Sequence, residues 1–289
     1  MPSLLDIRRR IRSVKNTQQI TKAMKMVSAA KLRRAQERVI QARHYAIQLR
    51  EMLANLANAA ANDDAAADNA WVQRREPKRI DLIFFTSDTG LAGAFNSNLL
   101  KASTQFFAEH AGATISLTLV GRKGRDYFRR REAAILSDHI NLVNKPTLEA
   151  AGEIAKAVIE RYKNGETDAV YLLNNEFKSV MSQKLNVMQL LPVTVQADPK
   201  ASSLDYIYEQ PPLEILERLM PRYVEVAVFR ALLETAAAYH AARMTAMDAA
   251  STNAKKVIDT LTLNMNRIRQ AAITKEIIEV VSGAAAAEE

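Results

Sequence analysis

The stretch Ile7-Arg-Arg-Arg-Ile11-Arg-Ser-Val14-Lys-Asn-Thr-Gln18-Gln-Ile-Thr21-Lys-Ala-Met-Lys25-Met-Val-Ser28 decides the fold. Steps of four and three residues link Ile7, Ile11, Val14, Gln18, Thr21, Lys25 and Ser28, and the same stepping continues through Leu32, Ala35, Val39, Ala42, Ala46, Leu49 and Leu53 to Leu56. A second seam of the same period runs from Leu216 through Leu219, Tyr223, Val226, Arg230, Leu233, Ala237, His240, Met244, Met247, Ser251, Ala254, Ile258, Leu261, Met265 and Ile268 to Ala272. A repeat of 3.5 residues sustained this long predicts a left-handed coiled coil. Because the two segments flank one compact middle region, they are expected to pair antiparallel with each other. Two separate coiled coils made with other chains are the less favoured arrangement.

Helix breakers draw the same map. Neither Gly nor Pro occurs from Ser3 to Glu76 or from Arg222 to Ser282, and seven of the eight glycines lie between Gly90 and Gly165. Helix interiors exclude both residues and turns require them. Ser3-Leu-Leu-Asp6 reads as a capping box opening a helix that runs to Ala60, roughly 85 Å at 1.5 Å per residue. The last helix is expected to start after Pro211-Pro212, to kink at Pro221 and to end with Gly283 as C′ glycine, a span of roughly 105 Å. The division expected is 1–60 for the first helix, 61–77 for a connector, 78–205 for an α/β domain and 206–289 for a foot segment and the last helix.

One interruption stands out. From Gln18 to Ser28 the first seam is polar, and Ile20, Ala23, Met24, Val27 and Ala30 form a second apolar stripe. Either the repeat stutters here, or this face leaves the partner helix and meets another protein. The seam pattern alone favours the stutter.

In the middle, Ile80–Ser87 and Thr114–Val120 read as strands, the latter followed by Gly121-Arg-Lys-Gly124 and a helical stretch to Arg131, residues 97–109 and 147–163 as helices, and Asp168–Asn174 as a third strand. Lys178–Val193 suggests an antiparallel pair at the edge. The alternation predicts a Rossmann-like three-layer unit with a mostly parallel sheet. Gly90-Leu-Ala-Gly93 matches neither GxGxxG nor a GK[ST] loop, so no nucleotide site is expected; tight strand-to-helix turns need glycine anyway.

Composition narrows the chemistry. With no cysteine among 289 residues, disulfides and thiolate-bound metals are excluded. The four histidines show no ligand spacing, so neither a metal nor a cofactor is expected. No apolar run is long enough to span a membrane. Asp63-Asp64 and Asp68 read as a solvated acidic loop. Residues 1–57 carry thirteen Lys and Arg against three acids, a surplus larger than the net +8 of the whole chain. Such a helix needs an acidic partner or a solvated face. Nucleic acid is one candidate partner, although the basic residues share their helix with the seam instead of preceding it. Acidic protein loops are the other.

Several motifs carry a resemblance over the whole chain. The segment from Ile11 to Arg34, the loop Ser87-Asp-Thr-Gly-Leu-Ala-Gly-Ala-Phe-Asn96, Ala242-Arg-Met-Thr-Ala-Met247 and the run from Arg267 to Ala284 are similar to the F-type ATP synthase gamma subunits. Thr89 stands where many members carry a basic residue, and Ala94 where many carry Gly. Chloroplast members have a cysteine-bearing insertion that is missing here. With no separable leader, the bacterial branch is expected.

The resemblance implies a non-catalytic rotor shaft in a proton-transporting complex for ATP synthesis, peripheral on the cytoplasmic face of the bacterial inner membrane. Its implied partners are the alpha and beta subunits, the epsilon subunit and the c-ring, with membrane contact only through the complex. It also implies Ile20, Met24, Lys25, Val27, Arg243, Arg269, Gln270, Thr274 and Glu276 as residues at or near the contact with alpha and beta. Tyr206, Tyr208 and Glu209 are the weaker candidates for the foot that meets epsilon and the c-ring. In this light the stripe at Ile20, Met24 and Val27 favours the partner-face reading over the stutter.

Overall fold

A computed structural model describes residues 3–60, 71, 76–193 and 210–285. Tyr206, Tyr208 and Glu209, and nearly all of the expected connector with its aspartates, lie outside the described residues. Two helices dominate: α1 (Leu4–Ala60) at the start and the long terminal helix (Pro212–Ala285). Between them the order is β1 (Arg79–Phe85), α2 (Phe95–Glu109), β2 (Thr114–Val120), α3 (Arg122–Arg129), β3 (Ile135–His139), α4 (Leu148–Lys163), β4 (Ala169–Phe177) and β5 (Gln183–Leu191), so the terminal helix is α5.

The chain divides into two compact units, Ala29–Arg243 and Met1–Ser28 with Met244–Glu289. The larger unit is built on a five-stranded sheet of order β3-β2-β1-β4-β5. β1 pairs parallel with β2 and β4, β2 parallel with β3, and β5 antiparallel with β4. β1 is buried from Ile80 to Phe85, as a central parallel strand covered on both faces must be. α4 starts where Thr147 Oγ1 accepts the Ala150 N–H at 3.3 Å, and it buries Ala151, Ile154, Ala155, Val158, Ile159 and Tyr162 along one stripe. Leu49, Leu53 and Leu56 of α1 join that core together with α5 residues from Leu216 to Ala236.

Glycine is required at the turn into α3. Gly121 has φ +98°, and a Cβ there would lie 2.2 Å from the Thr86 carbonyl oxygen. The Gly124 N–H donates to Thr86 Oγ1 at 2.9 Å, fastening the helix to the end of β1.

The structure corrects several expectations. Residues 178–193 supply one edge strand, β5, where an antiparallel pair was expected; its partner is β4. β3 was not foreseen. Gly283 is not a C′ residue, because α5 continues through it to Ala285. α5 starts at Pro212 itself, where a missing N–H costs nothing, and not after the Pro211-Pro212 pair. From Ala231 to Ala241 every α5 residue is buried, so a single seam describes this stretch poorly. A helix buried all round is largely apolar all round; of the polar residues here Glu234 is paired with Arg43, while Thr235 Oγ1 and His240 Nδ1 are buried without a hydrogen-bond partner among the described residues.

In the smaller unit the capping box forms as written: Asp6 N–H donates to Ser3 Oγ at 3.2 Å, while Ser3 N–H and Oγ–H donate to Asp6 Oδ2 at 3.2 and 2.7 Å. Gln18 Nε2 donates weakly to the Ser251 carbonyl at 3.5 Å, and Lys25 Nζ donates to Asp248 Oδ1 at 2.6 Å.

Candidate functional site

The smaller unit presents the surface of interest. Along α1 its shielded positions are Leu4, Ile7, Ile11, Val14, Gln18, Thr21, Met24, Lys25 and Ser28; along α5 they include Met244, Met247, Ser251, Ala254, Ile258, Leu261, Met265, Ile268 and Ala272. These are the seam positions, with Leu4 and Met24 the additions on α1. The polar stretch is therefore no stutter. Thr21 and Ser28 are buried, Thr21 Oγ1 donates to the Gln18 carbonyl, and Lys25 is ion-paired with Asp248. A short hydroxyl bonded to its own helix satisfies its polarity locally while keeping the neighbour close.

Apolar side chains displaced from the seam face outward. Ile20 is 59% exposed and Val27 57%, with Met26 beside them, while Met24 is half-buried. Further along, α1 has no residue left to cover α5. Beyond Ala272 every residue through Ser282 is exposed, including Ile273, Ile277, Ile278, Val280 and Val281. Exposed apolar surface of this extent marks a contact site.

The nine residues expected at a partner contact divide between the units. Ile20, Met24, Lys25, Val27, Arg269, Gln270, Thr274 and Glu276 belong to the smaller one, and Arg243 to the larger. Arg269, Gln270 and Glu276 are exposed; Thr274 is exposed too, with Oγ1 donating to the Gln270 carbonyl at 2.9 Å. The bridge to Asp248 holds Lys25 within this chain. Arg243 Nη1 donates to the Tyr239 hydroxyl at 3.0 Å, and that hydroxyl also bonds Thr89 Oγ1. Beside it, burial and the cations Lys31 and Arg243 push His240 down to about 4, so it is neutral in the folded chain at neutral pH. The apolar positions after Ala272 were missed, although a signal existed: α5 outruns α1 in the seam arithmetic.

The loop after β1 is occupied with its own bonds. Asp88 Oδ1 accepts the N–H groups of Arg122 and Asn141 at 3.2 and 2.8 Å, and Asn96 Oδ1 accepts the Ser87 N–H and hydroxyl. Its geometry follows from fastening β1 to α2 and α3.

Comparison with known proteins now decides the family. A family model described as ATP synthase matches residues 3–287, and the ATP synthase gamma chain of Solibacter usitatus is 61% identical over 288 residues, covering all of both chains. The chain belongs to the ATP synthase gamma family. The gamma chain of Pelotomaculum thermopropionicum is 48% identical over 289 residues, again full length on both sides. Among solved structures, the central stalk and c-ring of the Tetrahymena thermophila mitochondrial ATP synthase matches with TM-score 0.61 at 27% identity, over 80% of this chain and 99% of that one. The rotor of the Euglena gracilis mitochondrial enzyme shares the fold at TM-score 0.65 and 19% identity, over 93% and 98%. These relatives give the nucleic-acid alternative no support. Among the described residues no helix is long and apolar enough to cross a membrane.

Proposed function

We propose that this gamma-family chain is the central rotor shaft of a bacterial proton-transporting ATP synthase. It couples rotation of a c-ring to conformational cycling of catalytic sites that lie on alpha and beta subunits, and performs no bond chemistry itself. The shaft proper is an antiparallel coiled coil of α1 and α5. Contacts between them support this: as the α1 number rises from Gln18 to Lys25, its α5 partner falls from Ser251 to Asp248. The α/β unit, with the segment containing Tyr206, Tyr208 and Glu209, would serve the epsilon and c-ring end. The complex is peripheral on the cytoplasmic face of the inner membrane.

The single observation that carries the reading is the exposure of Ile20, Val27 and the α5 residues after Ala272 while the polar seam lies inside. Apolar contacts lack direction, so a shaft turning in a collar breaks no aligned hydrogen bonds at each step. The surplus of Lys and Arg on α1 suits acidic loops on the collar. An asymmetric rod inside a pseudo-threefold ring touches each beta subunit differently, and only a differential contact shifts a bistable subunit. Ile20, Met24, Val27, Arg269, Gln270, Thr274 and Glu276 face that collar, Arg243 lies at its entrance, and Lys25 stiffens the shaft through Asp248.

The test is an electron-microscopic reconstruction of this chain assembled with its own alpha and beta subunits. Density for α1 and α5 on the central axis is expected. Density outside the ring, or tight ATP binding by the chain alone, would contradict the reading.

A further inference from the structure

A slot of about 240 Å³ opens in the larger unit between α1, α5 and the β4–β5 hairpin. It exists because small residues stand where the core elsewhere is filled: Ala46 on α1, Ala227 and Ala231 on α5. Its floor is apolar, formed by Leu172 and Met188. Its polar groups are unequally occupied. Glu234 accepts two hydrogen bonds from Arg43 and one from the Phe177 N–H, and Glu176 is bonded by Lys178. Both carboxylates are thus engaged. The lining cations are held more loosely. Among the described residues Arg50 has no ion-pair partner, and Arg230 reaches Glu176 and Glu234 only at 3.9 and 3.7 Å, beyond hydrogen-bond length. The Tyr223 ring lines the slot beside them. Asn186 donates to Asn174 at 3.1 Å and lines the same wall.

We propose that this slot binds a small organic monoanion, a carboxylate on an apolar body of about one ring, with its charge on Arg50 and Arg230. Size sets the class: an apolar cavity of about 150 Å³ holds benzene, so a slot of about 240 Å³ leaves room for a ring and a carboxylate. Charge sets the sign, since Arg43, Arg50, Lys178 and Arg230 outnumber Glu176 and Glu234 around the slot, and among the described residues Arg50 has no ion-pair partner. A planar carboxylate suits the guanidinium fork. The ligand would bridge α1, α5 and the sheet edge, so occupancy stiffens the larger unit. This does not rest on the rotor reading.

The test uses the purified full-length chain and 4-fluorobenzoate, followed by fluorine NMR, with 4-fluorobenzylamine and inorganic phosphate as comparison probes. Saturable one-to-one binding of the benzoate is expected, with no binding of the amine and weaker binding of phosphate. Arg50→Gln lies at the exposed rim, should fold normally, and should weaken the benzoate about tenfold. Ala227→Leu fills the slot and should abolish binding; its melting curve reports whether it folds, and the Arg50 variant decides if it does not. Absence of saturation up to about 10 mM, a range that already admits very weak ligands, overturns the proposal. Equal binding of the amine, phosphate binding as tightly as benzoate, or an Arg50→Gln affinity equal to that of the natural chain does the same.

Discussion

Arg43→Met removes one half of an enclosed ion pair in the larger unit. Glu234 is only 2% exposed at its side chain and Arg43 28%. The guanidinium donates to Glu234 from Nε at 2.6 Å and Nη2 at 2.8 Å, and Nη2 also bonds the Phe177 carbonyl. α1, α5 and the end of β4 meet at this one site. Removing a single partner of a buried pair costs about 3–5 kcal/mol, because the remaining charge is left uncompensated. Glu234 retains the Phe177 N–H at 2.9 Å and Arg230 at 3.7 Å, which softens the loss. About 2–3 kcal/mol is therefore expected for Arg43→Met. Glu234→Leu should cost a similar amount, since it strands the Phe177 N–H while Arg43 can turn toward water. The double variant should cost less than the sum, because an apolar pair replaces the ion pair and no unpaired charge is left buried, only the Phe177 N–H losing its partner. Urea denaturation followed by circular dichroism measures all three against the natural chain. Additive effects, or single variants each within about 0.5 kcal/mol of the natural chain, would refute the reasoning.

Other expectations follow from the same contacts. His240 is neutral when folded, with its value lowered from 6.5 to about 4. The unfolded chain therefore takes the proton first, and stability is full above pH 6.5 and falls toward pH 4, by about 3 kcal/mol through this group. His240→Gln should show a flatter pH–stability curve over that window, and parallel curves would sink the assignment. Gly121→Ala combines a positive φ with a backbone clash and should cost about 3 kcal/mol. Gly112→Ala, whose Cβ meets nothing within 4 Å, should be near neutral, and equal melting shifts in the two variants would contradict the packing account of Gly121. Ile20→Glu with Val27→Glu should leave the melting of the isolated chain unchanged within about 0.5 kcal/mol yet weaken assembly with alpha and beta subunits. Normal assembly and coupling would remove both residues from the contact.

The seams were legible because a period of 3.5 residues over many turns has one geometric meaning, and the side chains from Ile7 to Leu56 and from Met244 to Ala272 are shielded where it puts them. Polar Thr21 and Ser28 obscured the pattern, since hydropathy registers their hydroxyls and not the backbone carbonyls that such groups can bond. β1, β2 and α4 were visible as apolar runs bounded by turn residues. β3 was not: Ile135-Leu-Ser-Asp-His139 is short, lies at the sheet edge and carries three residues of weak strand preference. The burial of Ala231–Ala241 was readable in principle from its run of small and apolar residues, but the seam drew attention to one face only. At the contact surface, Ile20 and Val27 emerged from their displacement off the seam. The internal engagement of Lys25 and Arg243 did not, because a charge in a sequence does not reveal its partner.

Cross-linking tests the central claim most directly. The natural chain has no cysteine, so Lys25→Cys with Asp248→Cys places thiols only where α1 and α5 are bridged at 2.6 Å. A short bifunctional maleimide should join them within one chain, and the assembled, cross-linked enzyme should still couple ATP hydrolysis to proton pumping, because the two helices turn as one body. Failure to cross-link within the chain, or cross-linking that halts coupled turnover, would contradict a shaft made of this chain's own two ends.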